Sequence, residues 1–398
     1  ITFVSHLVIA MLSYLQTFFT HKKSLAVGSG FFLLGFLFGN WATLIPYIKS
    51  FYKLDDGILG LMLLCLPLGA MSFNPIAAIL IQRFGFQKTT VFGMLFLSFA
   101  FVLPITISTI ILLPFTLILA GMSMTLLNIS VNTAATVIEK QYNINIMSTC
   151  HGMFSLGLMT GSLMRSFTFL FDIDEKIHML IMAGMGLIIT FFVGKTILSI
   201  HTLSRSTDDK PSKFRLVLPK GVLLSIVIIS ICINVTEGSI TDWASVYMKE
   251  VVQTSPFFIG WGLFGYSTFM ALGRLFGDGI IPIFGKNNVL VYGAALALVG
   301  LLITIFLPFT WTAIAGFGLI GLGVSCGAPI LYASAARYPG LPDSGGLAIM
   351  NTFAMGGFLM GPVVIGFISD LSSLSVAFGF VLFLALVWMF ISRKVELF

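Results

Sequence analysis

The sequence predicts an all-α integral membrane protein, twelve transmembrane helices arranged as two pseudo-symmetric six-helix bundles. Three observations predict it. The 398 residues are 58% hydrophobic and only 9% charged, whereas soluble domains carry about 25% charged residues, so a soluble fold is excluded. The apolar residues gather into runs close to the roughly 20 residues that cross a bilayer, separated by short polar connections. Finally, short motifs recur about 200 residues apart, the mark of an internal repeat.

The elements follow in order. Residues 1–23 begin at Ile1 and run apolar up to residue 20, then reach His21, Lys22 and Lys23. They form an N-terminal apolar extension: a signal-like segment, an extra helix, or sequence upstream of a start such as Met11. Twelve spans are then expected at about 25–48, 57–82, 89–110, 112–138, 148–170, 177–199, 220–248, 256–282, 288–308, 311–336, 345–369 and 373–392. The longest polar connection, around Asp208, Asp209, Lys210, Pro211 and Lys213, separates the halves. The expected organisation is a bundle over 24–199, a cytoplasmic linker over 200–219 and a second bundle over 220–398. Forty Phe and forty Gly suit lipid-facing bulk and close helix contact.

Charge orients the set. Lys22, Lys23, Arg83, Lys88, Lys140, Lys195, Arg205, Lys210, Lys213, Arg215, Lys220, Lys286, Arg337, Arg393 and Lys394 fall on one side of the expected spans; Lys49, Lys53, Lys176 and Lys249 fall on the other. The positive-inside rule puts both termini and the linker in the cytoplasm; a bacterial inner membrane is what the resemblance given below implies. The formal charge of +6 is read as this topology and not as a nucleic-acid surface. Cys65, Cys150, Cys232 and Cys326 lie far apart in apolar runs, so neither a metal site nor a disulfide framework is signalled. No cofactor is expected. There is no GxxxxGK[ST] for an ATP-driven pump, and no Ser/His/Asp set for an enzyme. Membrane-embedded catalysis would rest only on His151, Glu237 and Asp242.

The repeat is read from Phe84-Gly85 and Phe284-Gly285, Val91-Phe92-Gly93 and Val291-Tyr292-Gly293, and Gly121 and Gly321. His151-Gly152-x4-Gly157-x3-Gly161 likewise matches Asn351-Thr352-x4-Gly357-x3-Gly361. Asn40-Trp41-Ala42-Thr43 returns as Asp242-Trp243-Ala244-Ser245 at offset 202. A parallel duplication of six helices places a substrate site between the halves near the bilayer midplane.

Over residues 24 to 394 this organisation resembles the major facilitator superfamily. That family's loop between helices 2 and 3 reads G-x3-D-x2-G-R-K/R; here Ala78-x3-Gln82-Arg83-Phe84-Gly85-Phe86-Gln87-Lys88 keeps the arginine, the glycine and a lysine, with Gln82 at the acidic position. The second half keeps Gly285 and Lys286, has Pro282 at the acidic position, and carries Gly273-Arg274 with Asp278. The stretches NWATLIPYIK, NISVNTAATVIEK, HGMFSLGLMTG and EGSITDW are similar to the fucose-permease-like branch of sugar:proton symporters and its inner-membrane relatives. The fourth helix of that branch carries Glu-x3-Asn, the Glu being a proton site; this chain has Asn128-x3-Asn132 and no Asp in helix 1. The resemblance therefore leaves Glu237 as the acid for proton coupling. Gly357-x3-Gly361-Pro362 is similar to the motif of drug antiporters, which carry it in helix 5; here helix 5 has Gly157-x3-Gly161 with no following Pro.

Glu237 and Asp242 interrupt a run of about 27 mostly apolar residues from Val222 to Met248. A carboxylate there costs about 2.5–3.5 kcal/mol on insertion scales and so faces protein or a wet cavity. Asn234, Glu237 and Thr241 share one helix face. Glu237 is the candidate coupling acid, with Asp242 beside it; the alternative is a structural group satisfied by a neighbouring helix. Asn128 and Asn132, also on one face, offer donors and acceptors for a polyol or serve as interhelical glue. His151 and Asn351 occupy equivalent places, the histidine as relay or structural. Asn40, Trp41, Trp243 and Tyr266 are candidates for a cavity wall, where aromatic faces suit sugar C–H faces, or for the interfacial belt. Trp261 reads as belt or packing.

Arg83, Gly85, Lys88, Glu139, Arg274 and Asp278 are read as a cytoplasmic gate, with Arg274 and Asp278 one turn apart near the end of helix 8. Arg165 is read as a local ion pair with Asp172, Asp174 or Glu175. With no central Arg or Lys expected, the leading reading is uptake of a small neutral polar solute, a sugar or relative, coupled to protons by a monomer in the bilayer. An exporter of hydrophobic or cationic compounds and a non-transporting membrane sensor are the alternatives.

Overall fold

The computed structural model describes residues 16–201, 218–339 and 345–397. The apolar extension up to residue 15 and most of the expected linker, with Arg205, Lys210, Lys213 and Arg215, lie outside the described residues, as does the side chain of Asp278. Long helices run in sequence: α1 (Lys22–Tyr52), α2 (Asp56–Phe84), α3 (Phe86–Ala100), α4 (Leu113–Tyr142), α5 (Met147–Leu170), α6 (Glu175–Leu198), α7 (Val222–Glu250), α8 (Trp261–Phe284), α9 (Lys286–Phe306), α10 (Thr310–Val324, continued as Gly327–Ala336), α11 (Gly345–Leu371) and α12 (Leu374–Lys394).

Among the described residues, ten spans are long and apolar enough to cross a membrane. The other two expected spans, α5 and α8, form as 24-residue helices but are not among the ten. Expected and observed ends differ where turn chemistry intervenes. The eighth span was expected from residue 256, but Pro256–Phe258 forms a 3-10 turn and the helix begins at Trp261.

Contacts divide the chain into two compact units, one holding residues 16–48 and 65–201, the other 49–64, 218–339 and 345–397. The expected clean break in the linker is thus accompanied by a transfer of residues 49–64 to the second unit.

In the first unit α1 and α5 cross backbone to backbone. A Cβ at Gly35 would meet the Phe154 carbonyl, and one at Gly39 the Leu158 carbonyl at 2.6 Å. Gly157 and Gly161 lie equally close to the carbonyls of Phe32 and Phe36. Both helices therefore present small-xxx-small faces, the arrangement that lets helices pack without a hydrophobic driving force in lipid. Gly121 on α4 abuts the Leu66 carbonyl of α2.

The second unit repeats the pattern. Gly321 on α10 abuts the Tyr266 carbonyl of α8, so both partners in this contact are displaced by 200 residues from those in the first unit. The turns repeat as well. Gly85 has φ 82°, ψ 149° and Gly285 has φ 77°, ψ 150°, a region essentially closed to residues with a Cβ. Lys53 and Gln253, after α1 and α7, share a left-handed φ of 52° and 53°. The crossing of α7 and α11 is looser than that of α1 and α5: a Cβ at Gly361 would sit 3.4 Å from the Val235 carbonyl.

These contacts also correct the register of the first helix pair. Gly39 against Leu158 corresponds to Gly238 against Phe358, and Asn40 near Gly161 corresponds to Ser239 near Gly361, an offset of 199 along α1 and α7. Asp242-Trp243 therefore stands three residues, nearly one turn, beyond the place of Asn40-Trp41. The likeness of NWAT to DWAS disguises this register.

Candidate substrate and coupling site

In the second unit, Glu237 lies near the middle of α7 and Arg274 near the middle of α8. Their side chains pair at 3.4 Å, with 27% and 23% of their surfaces exposed. This corrects one expectation: the unit does hold a guanidinium midway along its helices. Arg274 and Asp278 keep their i, i+4 relation along α8, and Arg274 also reaches Glu237 on α7.

Tyr266, two turns before Arg274 on α8, is fully buried, and its hydroxyl has no hydrogen-bond partner among the described residues. It lies within electrostatic reach of both Glu237 and Arg274, and Tyr332 on α10 lies within reach of Glu237. Buried hydroxyls nearly always find a partner, so the Tyr266 O–H is a donor held ready beside a charge pair. Asn234, one turn before Glu237, is half-buried and donates to the carbonyl of Ser230 at 2.8 Å. Thr241 donates to the Glu237 carbonyl at 2.6 Å. Asp242 is half-buried, and Asn351 on α11 is half-buried too.

In the first unit the Asn132 amide donates to the Asn128 side-chain oxygen at 2.9 Å and to its carbonyl at 2.8 Å, with Asn128 exposed. The expected shared face is thus present, and its two amides are joined. His151 is exposed and meets the Phe31 ring edge-on at 5.3 Å. Asn40 is fully buried, its amide donating to the Phe36 carbonyl at 2.8 Å, where it wedges against Gly161. Trp41 and Trp243 are also fully buried. These three belong to the packing inside their units; they were expected on a cavity wall because polar and aromatic neighbours in a helix look the same from sequence in either setting. Trp261 joins Phe257, Phe258, Phe264 and Trp311 in an aromatic cluster, an arrangement open to both the belt and the packing reading.

The expected gate residues of the first unit lie at its helix ends. Arg83 and Lys88 are exposed on either side of the Gly85 turn, and Lys88 lines a cavity of about 320 Å³ with Leu80, Phe84, Thr89 and Phe92. Glu139 is committed elsewhere: its carboxylate accepts from the backbone N–H groups of Ile146 and Met147 at 2.7 and 2.8 Å, capping the start of α5. Helix N-termini attract carboxylates in this way. Arg165 pairs with Glu175 at 2.7 Å, as its acidic neighbours suggested. All four cysteines are without a disulfide; Cys65 is half-buried and the other three buried.

Sequence reasoning missed one cluster. Lys49 contacts Asp56 at 2.5 Å and Glu250 at 2.6 Å, Ser369 donates to Asp56, and Lys249 donates to Ser50 at 2.6 Å. The available signal was that Lys49, Asp56, Lys249 and Glu250 all flank expected spans at the same end.

The comparisons agree with this architecture. A family description, Major Facilitator Superfamily, matches residues 227–396. An uncharacterized MFS-type transporter of Yersinia pestis is 30% identical over 356 residues, covering 89% of this chain and 91% of that protein. The chain belongs to the major facilitator superfamily. Membrane protein MosC of Rhizobium meliloti is 27% identical over 361 residues, covering 90% of this chain and 86% of that protein. Among solved structures, the nucleoside transporter NupG superposes with a TM-score of 0.70 at 14% identity over 94% of this chain and 99% of that one, a likeness of fold. As a superfamily member the chain is an integral, multi-pass membrane transporter of a small molecule.

Proposed function

We propose that the protein is a proton-coupled secondary transporter of a small polar solute, working by alternating access, with Glu237 as the group that takes up and releases the proton. The carrying observation is the Glu237–Arg274 pair near the middle of α7 and α8. Ionisable groups placed within a membrane span are expensive and mark substrate or proton paths. A proton and the guanidinium are alternative partners for the same carboxylate, which is what a coupling site requires.

For the solute, a sugar or related hydroxyl-bearing compound suits the amides of Asn234 and Asn351 and the hydroxyls of Tyr266 and Tyr332 in the second unit, which both donate and accept. Nucleosides, the solutes for which the similar transporter NupG is named, carry the same kind of hydroxyl groups and belong in the first panel. The exporter reading needed a lone acid for a lipophilic cation; here the acid already meets Arg274, so it is not adopted. The Lys and Arg asymmetry supports cytoplasmic termini, the similarity to proteins of Yersinia pestis and Rhizobium meliloti supports a bacterial inner-membrane location, and we take the working unit to be a monomer.

The test begins with thermal shifts of the purified protein against sugars, nucleosides, organic acids and lipophilic cations. A ligand at 100 times its Kd adds about 2.7 kcal/mol to stability, a visible rise in Tm for the hydroxylated class. Proteoliposomes loaded with the hit then report coupling: Glu237→Gln is expected to abolish pH-driven accumulation while leaving exchange. A cation hit, or unchanged accumulation in that variant, would overturn the reading.

A further inference from the structure

A cleft opens in the first unit where α2 gives way to α3. Spans Asp56–Phe84 and Phe86–Thr106 are both long and apolar enough to cross a membrane, so the Gly85 turn between them stands at a membrane surface. Leu80 and Phe84 lie one turn apart on α2, and Lys88 and Phe92 one turn apart on α3. With Thr89 they line a cavity of about 320 Å³, the size at which ligand pockets begin. Its walls are hydrocarbon apart from the lysine, because the Thr89 hydroxyl donates to the Gly85 carbonyl at 2.8 Å. Arg83 lies over the Phe84 ring, 5.4 Å from its centre, so a second cation stands beside the cleft. No Asp or Glu occurs between Gly57 and Ile138, and no salt bridge among the described residues involves Arg83 or Lys88.

The second unit repeats this turn at Gly285 but furnishes it differently. The residues 200 further on are Ile280, Phe284, Asn288, Val289 and Tyr292. There the Tyr292 ring meets Phe284 edge-on at 6.1 Å, and the Asn288 amide donates back to the Phe284 carbonyl at 3.0 Å. Apolar side chains are thus common to both turns, as any lipid-facing turn requires, whereas the lysine is particular to the first.

We propose that the cleft between α2 and α3 binds one anionic phospholipid, with an acyl chain along Leu80, Phe84 and Phe92 and the phosphodiester on the Lys88 ammonium. An apolar wall alone accepts any chain of the bilayer. A lysine at its rim selects lipids of net negative charge, as basic pockets between helix ends do, and its own methylene stem extends the apolar wall. A free phosphate would meet only an exposed lysine and leave the cavity unused, so the occupant is the lipid.

Native mass spectrometry of the purified full-length protein, titrated in detergent with phosphatidylglycerol, phosphatidylcholine or glycerol phosphate, tests this. Phosphatidylglycerol is expected to add as one tight equivalent, phosphatidylcholine more weakly and glycerol phosphate not at all. Lys88→Asn, which installs the side chain found at the matching place in the second unit, should weaken phosphatidylglycerol roughly fivefold and leave phosphatidylcholine unchanged. Lys140→Asn removes an exposed cation at the end of α4 and should leave both lipids unchanged. Leu80→Trp fills the cleft while keeping the charge, and should also lose phosphatidylglycerol. Equal affinity for the two lipids would overturn the proposal, as would glycerol phosphate binding as tightly as the lipid. Equal losses in the Lys88 and Lys140 variants would do the same, by assigning the preference to general surface charge.

Discussion

Side by side near the middle of α7 and α8, Glu237 and Arg274 share a partly exposed contact of 3.4 Å, and the Tyr266 hydroxyl stands buried within reach of both. An acid within an apolar run stood out in the sequence as an expensive position. Its partner did not, because Arg274 lies 37 residues away on another helix, beyond the reach of any spacing rule along one helix. The same limit applies to Asn40 and Trp243, whose polar character reads identically whether a side chain faces a cavity or a neighbouring helix. Tyr266 separates fold from function at this scale. Removing a buried hydroxyl that lacks a protein partner relieves a desolvation penalty of about 1–3 kcal/mol at most. Tyr266→Phe is therefore expected to melt at or above the native temperature in differential scanning fluorimetry while weakening ligand-induced stabilisation. A lower Tm with unchanged ligand response would assign the hydroxyl to packing.

The helix pairs carry the repeat, and here sequence was most informative. Gly121 with Leu66 and Gly321 with Tyr266 make the same contact 200 residues apart, and the glycine turns at residues 85 and 285 have matching dihedrals. What sequence could not convey is closeness. Gly157-x3-Gly161 and Gly357-x3-Gly361 look alike as strings, yet the first pair lies against carbonyls of α1 with no room for a methyl group, while at Gly361 the nearest carbonyl would be 3.4 Å away. Overpacking typically costs about 1–3 kcal/mol. Gly157→Ala should fall in that range, with loss of folded protein on detergent extraction, whereas Gly361→Ala should stay within a few tenths of a kcal/mol by the same melting assay. Equal losses at both positions would show that the two crossings are equally tight in solution.

For the whole molecule, twofold pseudo-symmetry and membrane residence followed from composition and repeats, and membership of the superfamily bears both out. The hidden feature was ownership of residues 49–64, which precede the linker by some 150 residues in sequence yet complete the second unit. Periodicity reports which face of a helix is apolar, not which bundle its last turns join. A fragment beginning at residue 218 lacks residues 49–64, whose Asp56 and Gly60 abut Gly366 and whose Lys49 pairs with Glu250. Expressed alone, it should accumulate in membranes severalfold less than when co-expressed with residues 1–201, as read by immunoblot; equal yields would show the second unit to be complete without residues 49–64. Cys65 adds a practical consequence. It is half-buried while Cys150, Cys232 and Cys326 are buried, and it stands two residues before Pro67 inside α2. A membrane-permeant maleimide should find it first, so the rate of thiol labelling in the unaltered chain becomes a clock for local opening of α2 beside that proline.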